Sequence, residues 1–324
     1  VFNVILIIAA SFIAPNYDMP VLVLAWGVLL AGFVQLIIQV SPLINIDKLP
    51  VPKLDFNNEG VKKFMTIIFP AIIAGGILQI NLLIDTIFAS LLETGSPTWL
   101  YISDRLIQFP MGIFAIAIGT VLLPTLSKYD LSTEKNNFIS TIKKGQKFVL
   151  FIGIPSLIGL FYCAEDLIST IFYRGAFTEV DVINSSYSLM AFSFGLPFFM
   201  LMKVLTPAFF SRKDTTTPMR VALISLFLNA ALNYYLAFVL DLGHVGIAIG
   251  SSLAALVSVC ILELILYRSG FIKSYSFVSR FSLMILLASC SLALFLHFYT
   301  QKINFIELNH LDRILFLLIE VTIA

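Results

Sequence analysis

Residues 101–124 read "YISDRLIQFPMGIFAIAIGTVLLP". Between Arg105 and Lys128 there is no charged residue. The run is therefore long enough to cross a hydrocarbon core, which takes about 20 mostly apolar residues. Asp104 and Arg105 nevertheless stand side by side at its start. Neighbours on a helix point about 100° apart, so the pair is not expected to neutralise itself. Arg105 instead shares a stripe with Tyr101, Gln108, Gly112 and Gly119, and Asp104 must turn to a different neighbour. Pro110 removes a backbone donor and is expected to kink the helix just below Gln108, which makes Pro110 and Gly112 hinge candidates. A kinked helix with a polar upper stripe reads as a cavity wall. Arg105 suits a phosphate or diphosphate, because its planar fork donates bidentately and stays ionised. The competing reading has it tie two helices through a carboxylate, or snorkel to the outer surface.

The rest of the chain repeats this pattern. Of 324 residues, 59% are hydrophobic and 12% charged, against about 25% charged in a soluble domain. Mean hydropathy is +0.97. Apolar segments lie at 1–14, 19–40, 64–92, 98–124, 148–172 (interrupted near Glu165 and Asp166), 187–210, 220–240, 242–267, 281–299 and 314–324. The first and last are too short to span and stop at a terminus, so the chain is expected to be a piece of a longer membrane protein. Alternate connections hold 15 Lys and Arg against 3. Because cytoplasmic loops carry the excess, 41–63, 125–147, 211–220 and 268–280 are assigned to the cytoplasm. Segments 54–65 and 128–148 are expected to lie along the membrane surface. Cys163, Cys260 and Cys290 show no paired spacing and read as apolar packing residues.

Charged residues at membrane depth usually face a cavity or a partner. Besides Asp104 and Arg105 these are Asp85, Lys203 and Glu263; the last two lie close enough to the cytoplasmic side to snorkel. Asn81 and Asp85 are four apart, as are Ser225, Asn229 and Asn233, and Ser251 and Ser252 follow on the next helix. Carboxylate, amide and hydroxyl oxygens together could hold an alkali cation. Interhelical hydrogen bonds are the commoner use of such residues. Gly246 and Gly250 suit close helix packing. His244, His297 and His310 have no metal-ligand spacing. No nucleophile–base pair, HExxH or glycine-rich phosphate loop is present, and the loop carboxylates Asp130, Glu134 and Asp214 are isolated. A carrier is therefore expected rather than an enzyme, and no nucleic-acid partner.

Three stretches carry a resemblance. "SDRLIQFPMGIFAIAIGTVLLPTLSK" (103–128) resembles the eighth transmembrane helix of the MurJ (MviN) lipid II flippases. "KVLTPAFFSRKDTTTP" (203–218) is similar to the junction of their tenth and eleventh helices, and "INLLIDTIFASLLETGSPTWLYISDR" (80–105) to the seventh helix and its outer loop. The resemblance implies an all-α polytopic protein of the bacterial cytoplasmic (inner) membrane, in the multidrug/oligosaccharidyl-lipid/polysaccharide (MOP) exporter superfamily. About ten of the fourteen helices would be present, the first and last of them partial. Residues 1–53 would end the first lobe, 54–267 would form the second six-helix lobe with its leading interfacial helix, and 268–324 would supply helices thirteen and fourteen of a lipid-tail groove.

The implied activity is translocation of lipid II, an undecaprenyl-diphosphate-linked muropeptide, by a monomer working through alternating access among membrane lipids. Arg105 would hold the diphosphate, with Asp104 and Gln108 positioning it or contacting the headgroup. The family commonly has an acid where this sequence has Gln108. Some members bind sodium in the second lobe, and the matching positions here are Asp85, Asn229, Asn233 and Ser251. Asn233 stands where the sodium-binding pattern has an acid, so one negative charge is missing, and Na+ is otherwise the sole cofactor implied. The alternatives are an exporter of another lipid-linked glycan, a cation-coupled drug antiporter of the same fold, or a membrane-embedded polyprenyl-phosphate transferase.

Overall fold

The computed structural model describes residues 1–45, 59–272, 275–276, 279–300, 305 and 308–323, and the regular structure among them is entirely helical. Two compact units are present, Val1–Lys63 and Phe64–Ala324. In the first, α1 (Phe2–Ile8) continues through a wide π-turn (Ala9–Ile13) and packs on α2 (Pro20–Asn45). The approach is through small residues: a Cβ added at Gly27 would lie 3.1 Å from that of Ala9.

α3 (Glu59–Ser90) runs for 32 residues, about 48 Å, against a hydrocarbon core of about 30 Å. The expected surface segment 54–65 is corrected accordingly: from Glu59 onward it forms the first turns of α3, and residues 54–58 lie outside the described residues. The same correction applies to 128–148, because α6 (Lys135–Tyr162) already begins at Lys135. In both cases the charged residues form the first turns of a long helix.

α4 (Ser96–Pro110) and α5 (Ala117–Ser127) belong to one span, joined by a π-helical segment at Met111–Ile116. Pro110 thus introduces a wider turn rather than ending the helix. A π-turn takes up an extra residue, so faces read at a constant period drift out of register beyond it. Gly119 accordingly leaves the Arg105 stripe and packs on α9 (Leu196–Phe210), where an added Cβ would lie 2.9 Å from the carbonyl oxygen of Lys203.

The expected interruption near Glu165 falls at Cys163, between α6 and α7 (Ala164–Phe172). The expected single span 187–210 is instead a pair, α8 (Glu179–Ser193) and α9, bent by 44°. Gly195 sits at the bend because a Cβ there would come within 2.6 Å of both the Phe199 ring and Ser252 Oγ. Then come α10 (Thr216–Tyr234), a second π-turn in this unit (Tyr235–Val239), α11 (Gly243–Arg268), α12 (Arg280–Thr300) and α13 (His310–Ile323). Among the described residues six helices are long and apolar enough to cross a membrane, and the α8–α9 pair brings the number to seven.

The core of the second unit is built around α9. Leu196, Met200, Leu201, Val204, Leu205, Ala208 and Phe209 recur at helical spacing and are all fully buried, so α9 is enclosed by neighbours. The outward faces are apolar instead of charged, as Phe227 and Phe151 show at 73% and 60% exposed. Such a surface suits lipid, not water.

Candidate functional site

One face of α4 is anchored. Trp99 Nε1 donates to Asp181 Oδ1 at 2.8 Å, and Ser103 Oγ donates to the Ser185 carbonyl at 2.7 Å. Asp181 also accepts from the backbone N and the hydroxyl of Thr178 at 2.8 and 2.7 Å, closing the first turn of α8. Sequence reading missed Trp99, Ser103 and Asp181 as positioning residues; the T-x-x-D spacing at 178–181 was the legible signal. With Trp99, Ser103 and Ile107 buried against the bundle, Tyr101 and Arg105 fall on the exposed face.

On that face Gln108 stands between the two charged residues. Its Nε2 donates to Asp104 Oδ2, and its Oε1 accepts from Arg105 Nη1 at 3.4 Å. The neighbour of Asp104 is therefore an amide one turn along its own helix. The Arg105 guanidinium lies over the Tyr101 ring, 4.7 Å from its centroid. Tyr101 and Gln108 hold the arginine from two sides, and among the described residues no carboxylate meets its fork. Pro110 and Gly112 sit at the start of the π-segment, where Gly112 has open space on its Cβ side.

The second set of residues also converges. Asn233 Nδ2 donates to Asp85 Oδ1 at 2.6 Å and to Asn229 Oδ1 at 3.0 Å, while Asn229 Nδ2 donates to Ser251 Oγ at 3.0 Å. α3, α10 and α11 are thereby tied by one hydrogen-bonded chain. Gly250 lets it form, since a Cβ there would run into the Asn233 side chain. The amide nitrogen of Asn233 occupies the point where the oxygens of Asp85 and Asn229 meet, and the set holds a single carboxylate. Asn233 Oδ1 lacks a partner but faces Gly250, away from that point. Among the described residues no group of three His, Cys, Asp or Glu could hold a metal ion.

Two other polar residues differ from expectation or sharpen it. Glu263 does not snorkel: it is 2% exposed, with its carboxylate accepting from Gln146 Nε2 at 2.8 Å and from the backbone N of Ser276 at 3.2 Å. His244 is buried and shares a hydrogen bond with Ser188 Oγ at 2.7 Å, with its ring against Trp99. Cys163 is buried, whereas Cys260 and Cys290 are exposed, and all three are free thiols. Between α6 and α12 lies an apolar groove of about 420 Å³, bordered by Phe151, Pro155, Ile285, Leu292 and Phe295.

Comparison with known proteins agrees with this architecture. A sequence model of the family described as "Lipid II flippase MurJ" matches residues 1–311. Proteins named "Probable lipid II flippase MurJ" from Vibrio cholerae and Haemophilus influenzae are 41% and 37% identical over 285 and 313 residues. The alignments take in 87% and 93% of this chain but 54% and 60% of those proteins, so the chain spans little more than half the length of these relatives. A solved structure titled "Lipid II flippase MurJ, inward closed conformation" superposes with a TM-score of 0.74 at 25% identity, covering 99% of this chain and 64% of that one. An outward-facing MATE family transporter of the MOP superfamily gives 0.55 at 17% identity over 71% of this chain and 53% of its own, a likeness of fold alone. With its helices apolar on the outside, its α4 polar station and a family match over nearly all its length, the chain is a multi-pass protein of the bacterial inner membrane and belongs to the lipid II flippase MurJ family.

Proposed function

We propose that the protein carries lipid II from the inner to the outer leaflet by alternating access of two lobes, acting as a monomer and as a transporter instead of an enzyme. The observation that carries this reading is the open guanidinium of Arg105, braced by Tyr101 and Gln108 on the exposed face of an anchored helix. A diphosphate needs fixed positive charge where water is scarce. At about 4 Å an ion pair is worth roughly 1 kcal/mol in water and about 4 kcal/mol at an effective dielectric constant near 20. Gln108 couples Arg105 to Asp104, so the arginine is steered without being neutralised by a direct carboxylate contact. Pro110, Gly112 and the following π-turn give this helix a place to bend, and the apolar groove beside α12 offers a course for a polyprenyl tail.

The test is complementation of a flippase-depleted strain by the full-length protein. Arg105→Ala is expected to abolish growth while insertion remains normal, and Arg105→Lys to restore it partially. Full growth with Arg105→Ala would overturn the assignment. Accumulation of lipid II on depletion separates this function from export of another lipid-linked glycan.

A further inference from the structure

α13 packs chiefly on α7, and its two buried polar residues both face that helix. At the start of α13, Arg313 Nε donates to the Phe305 carbonyl at 2.7 Å and its Nη1 to the Ser169 carbonyl at 3.3 Å. The guanidinium lies over the Tyr173 ring, 4.8 Å from the centroid. Two turns on, about 10 Å along the helix, Glu320 is 0% exposed and meets Asp166 of α7, itself 6% exposed. Both Glu320 oxygens and Asp166 Oδ2 are buried, and among the described residues no amide, hydroxyl or cation donates to them. The hydroxyls nearest in sequence are turned away, since Ser169 Oγ and Thr170 Oγ1 donate to the main-chain carbonyl of Asp166 at 3.2 and 2.6 Å. Within reach of Glu320 are Asp166 itself and the Cys163 thiol, a weak donor.

Two bare carboxylates at this point would repel one another in a poorly screened interior and leave their oxygens unsatisfied. A single proton between them removes both penalties, because a carboxyl then donates to a carboxylate. The neighbours favour the same state. Cys163 at the α6–α7 junction, Glu165 on α7 and Tyr299 on α12 are the titratable groups beside the pair, and none of them brings a positive charge. His297 of α12 lies against the Tyr162 ring, Glu179 of α8 acts on Glu165, and Arg313 is turned to main-chain carbonyls. We propose that Asp166 and Glu320 form a proton-binding site, with one proton shared by the two carboxyls, which fastens α13 to α7 and frees it when the proton leaves. The proton lies between one oxygen of each residue; on release only that O–H bond breaks, and the proton passes to water. The tie is therefore present while the proton is held and is lost as the pH rises through its release.

The inference stands apart from the transport reading, because its test measures a protonated acid and a helix contact. Infrared spectra of the full-length protein in lipid nanodiscs are compared at pH 6 with those of Asp166→Asn with Glu320→Gln, in which amides replace both acids. The difference is expected to show one protonated carboxyl and one carboxylate per chain. Two carboxylates and no carboxyl, or two carboxyls, would overturn the shared proton. For the contact, spin labels are placed on Ile171→Cys and Leu318→Cys, at exposed positions of α7 and α13, in a background without the exposed thiols Cys260 and Cys290. The distance distribution is expected to be narrow at pH 6 and broad at pH 10 in the otherwise native protein, and narrow at both in the amide pair, whose contact needs no shared proton. A native distribution that stays narrow at pH 10, or an amide pair that broadens equally, would overturn the latch. Where the amide pair fails to fold, Asp166→Asn alone decides by the same two readings, with its amide donating to the Glu320 carboxylate.

Discussion

Asn233→Asp is the sharpest perturbation the structure offers. The Asn233 nitrogen lies 2.6 Å from Asp85 Oδ1 and 3.0 Å from Asn229 Oδ1. The substitution puts an oxygen in its place, so two donated hydrogen bonds become two oxygen–oxygen contacts. Two unit charges roughly 3 Å apart at an effective dielectric constant of about 20 repel by about 5 kcal/mol, and each lost hydrogen bond adds about 1 kcal/mol. A small cation between the carboxylates would reverse the sign of both contributions. If it bound with a dissociation constant one hundredth of the salt concentration, it would return about 2.7 kcal/mol. The assay is thermal unfolding of the purified full-length protein in sodium chloride and in choline chloride at equal ionic strength. The wild type is expected to melt at the same temperature in both salts. Asn233→Asp is expected to melt well below it in choline and to recover in sodium. The reasoning is refuted if the wild type is itself stabilised selectively by sodium, or if the variant in choline is as stable as the wild type.

The remaining expectations can be checked with the same preparations. Gly246→Ala would place a Cβ 2.7 Å from the backbone N of Ala237; overpacking against backbone costs about 1–3 kcal/mol, and a lowered melting temperature is expected, whereas Gly112→Ala, which meets nothing within 4 Å, should leave it unchanged or raise it. Asp214 is pushed up by partial burial but pulled further down by hydrogen bonds from Thr217 and Thr216 at the start of α10, so its carboxyl sits below the usual range. Its contribution is therefore present above about pH 4, the unfolded value, and fades as the pH falls through the lower folded value. Asp214→Ala should cost about 1 kcal/mol near neutral pH, and its melting curve should converge on the wild type only in strong acid.

Hydropathy was sufficient to locate six spans among the described residues, because it follows from the bilayer as a solvent and needs no partner helix. The common face of Asn229 and Asn233 was legible in their spacing of four, whereas their meeting with Asp85 and Ser251 was implied by the family resemblance, because spacing within one helix does not say which helices touch. The fate of Glu263 was not: its partners Gln146 and Ser276 lie on other segments, and composition near a helix end cannot distinguish a snorkelling carboxylate from a buried, paired one. The bend at Gly195 and the π-turn after Pro110 escaped for a related reason. Hydropathy averages over a window and is blind to a break that keeps the chain apolar, while a constant helical period carries no account of an inserted residue. The segments expected to lie along the membrane surface at 54–65 and 128–148 run into long helices from Glu59 and Lys135, because charge marks the water boundary and not the end of a helix.

The two hydrogen bonds from Trp99 and Ser103 to α8 have a kinematic consequence. They lie within two turns of Arg105, so α4 and α8 form one linkage and the arginine has little freedom to travel alone. Any movement of Arg105 in the proposed alternating access must carry α8 with it. Spin labels at the exposed positions Tyr101 and Tyr187 should therefore keep a constant separation through the proposed cycle, making the pair a fixed ruler against which the moving parts can be measured.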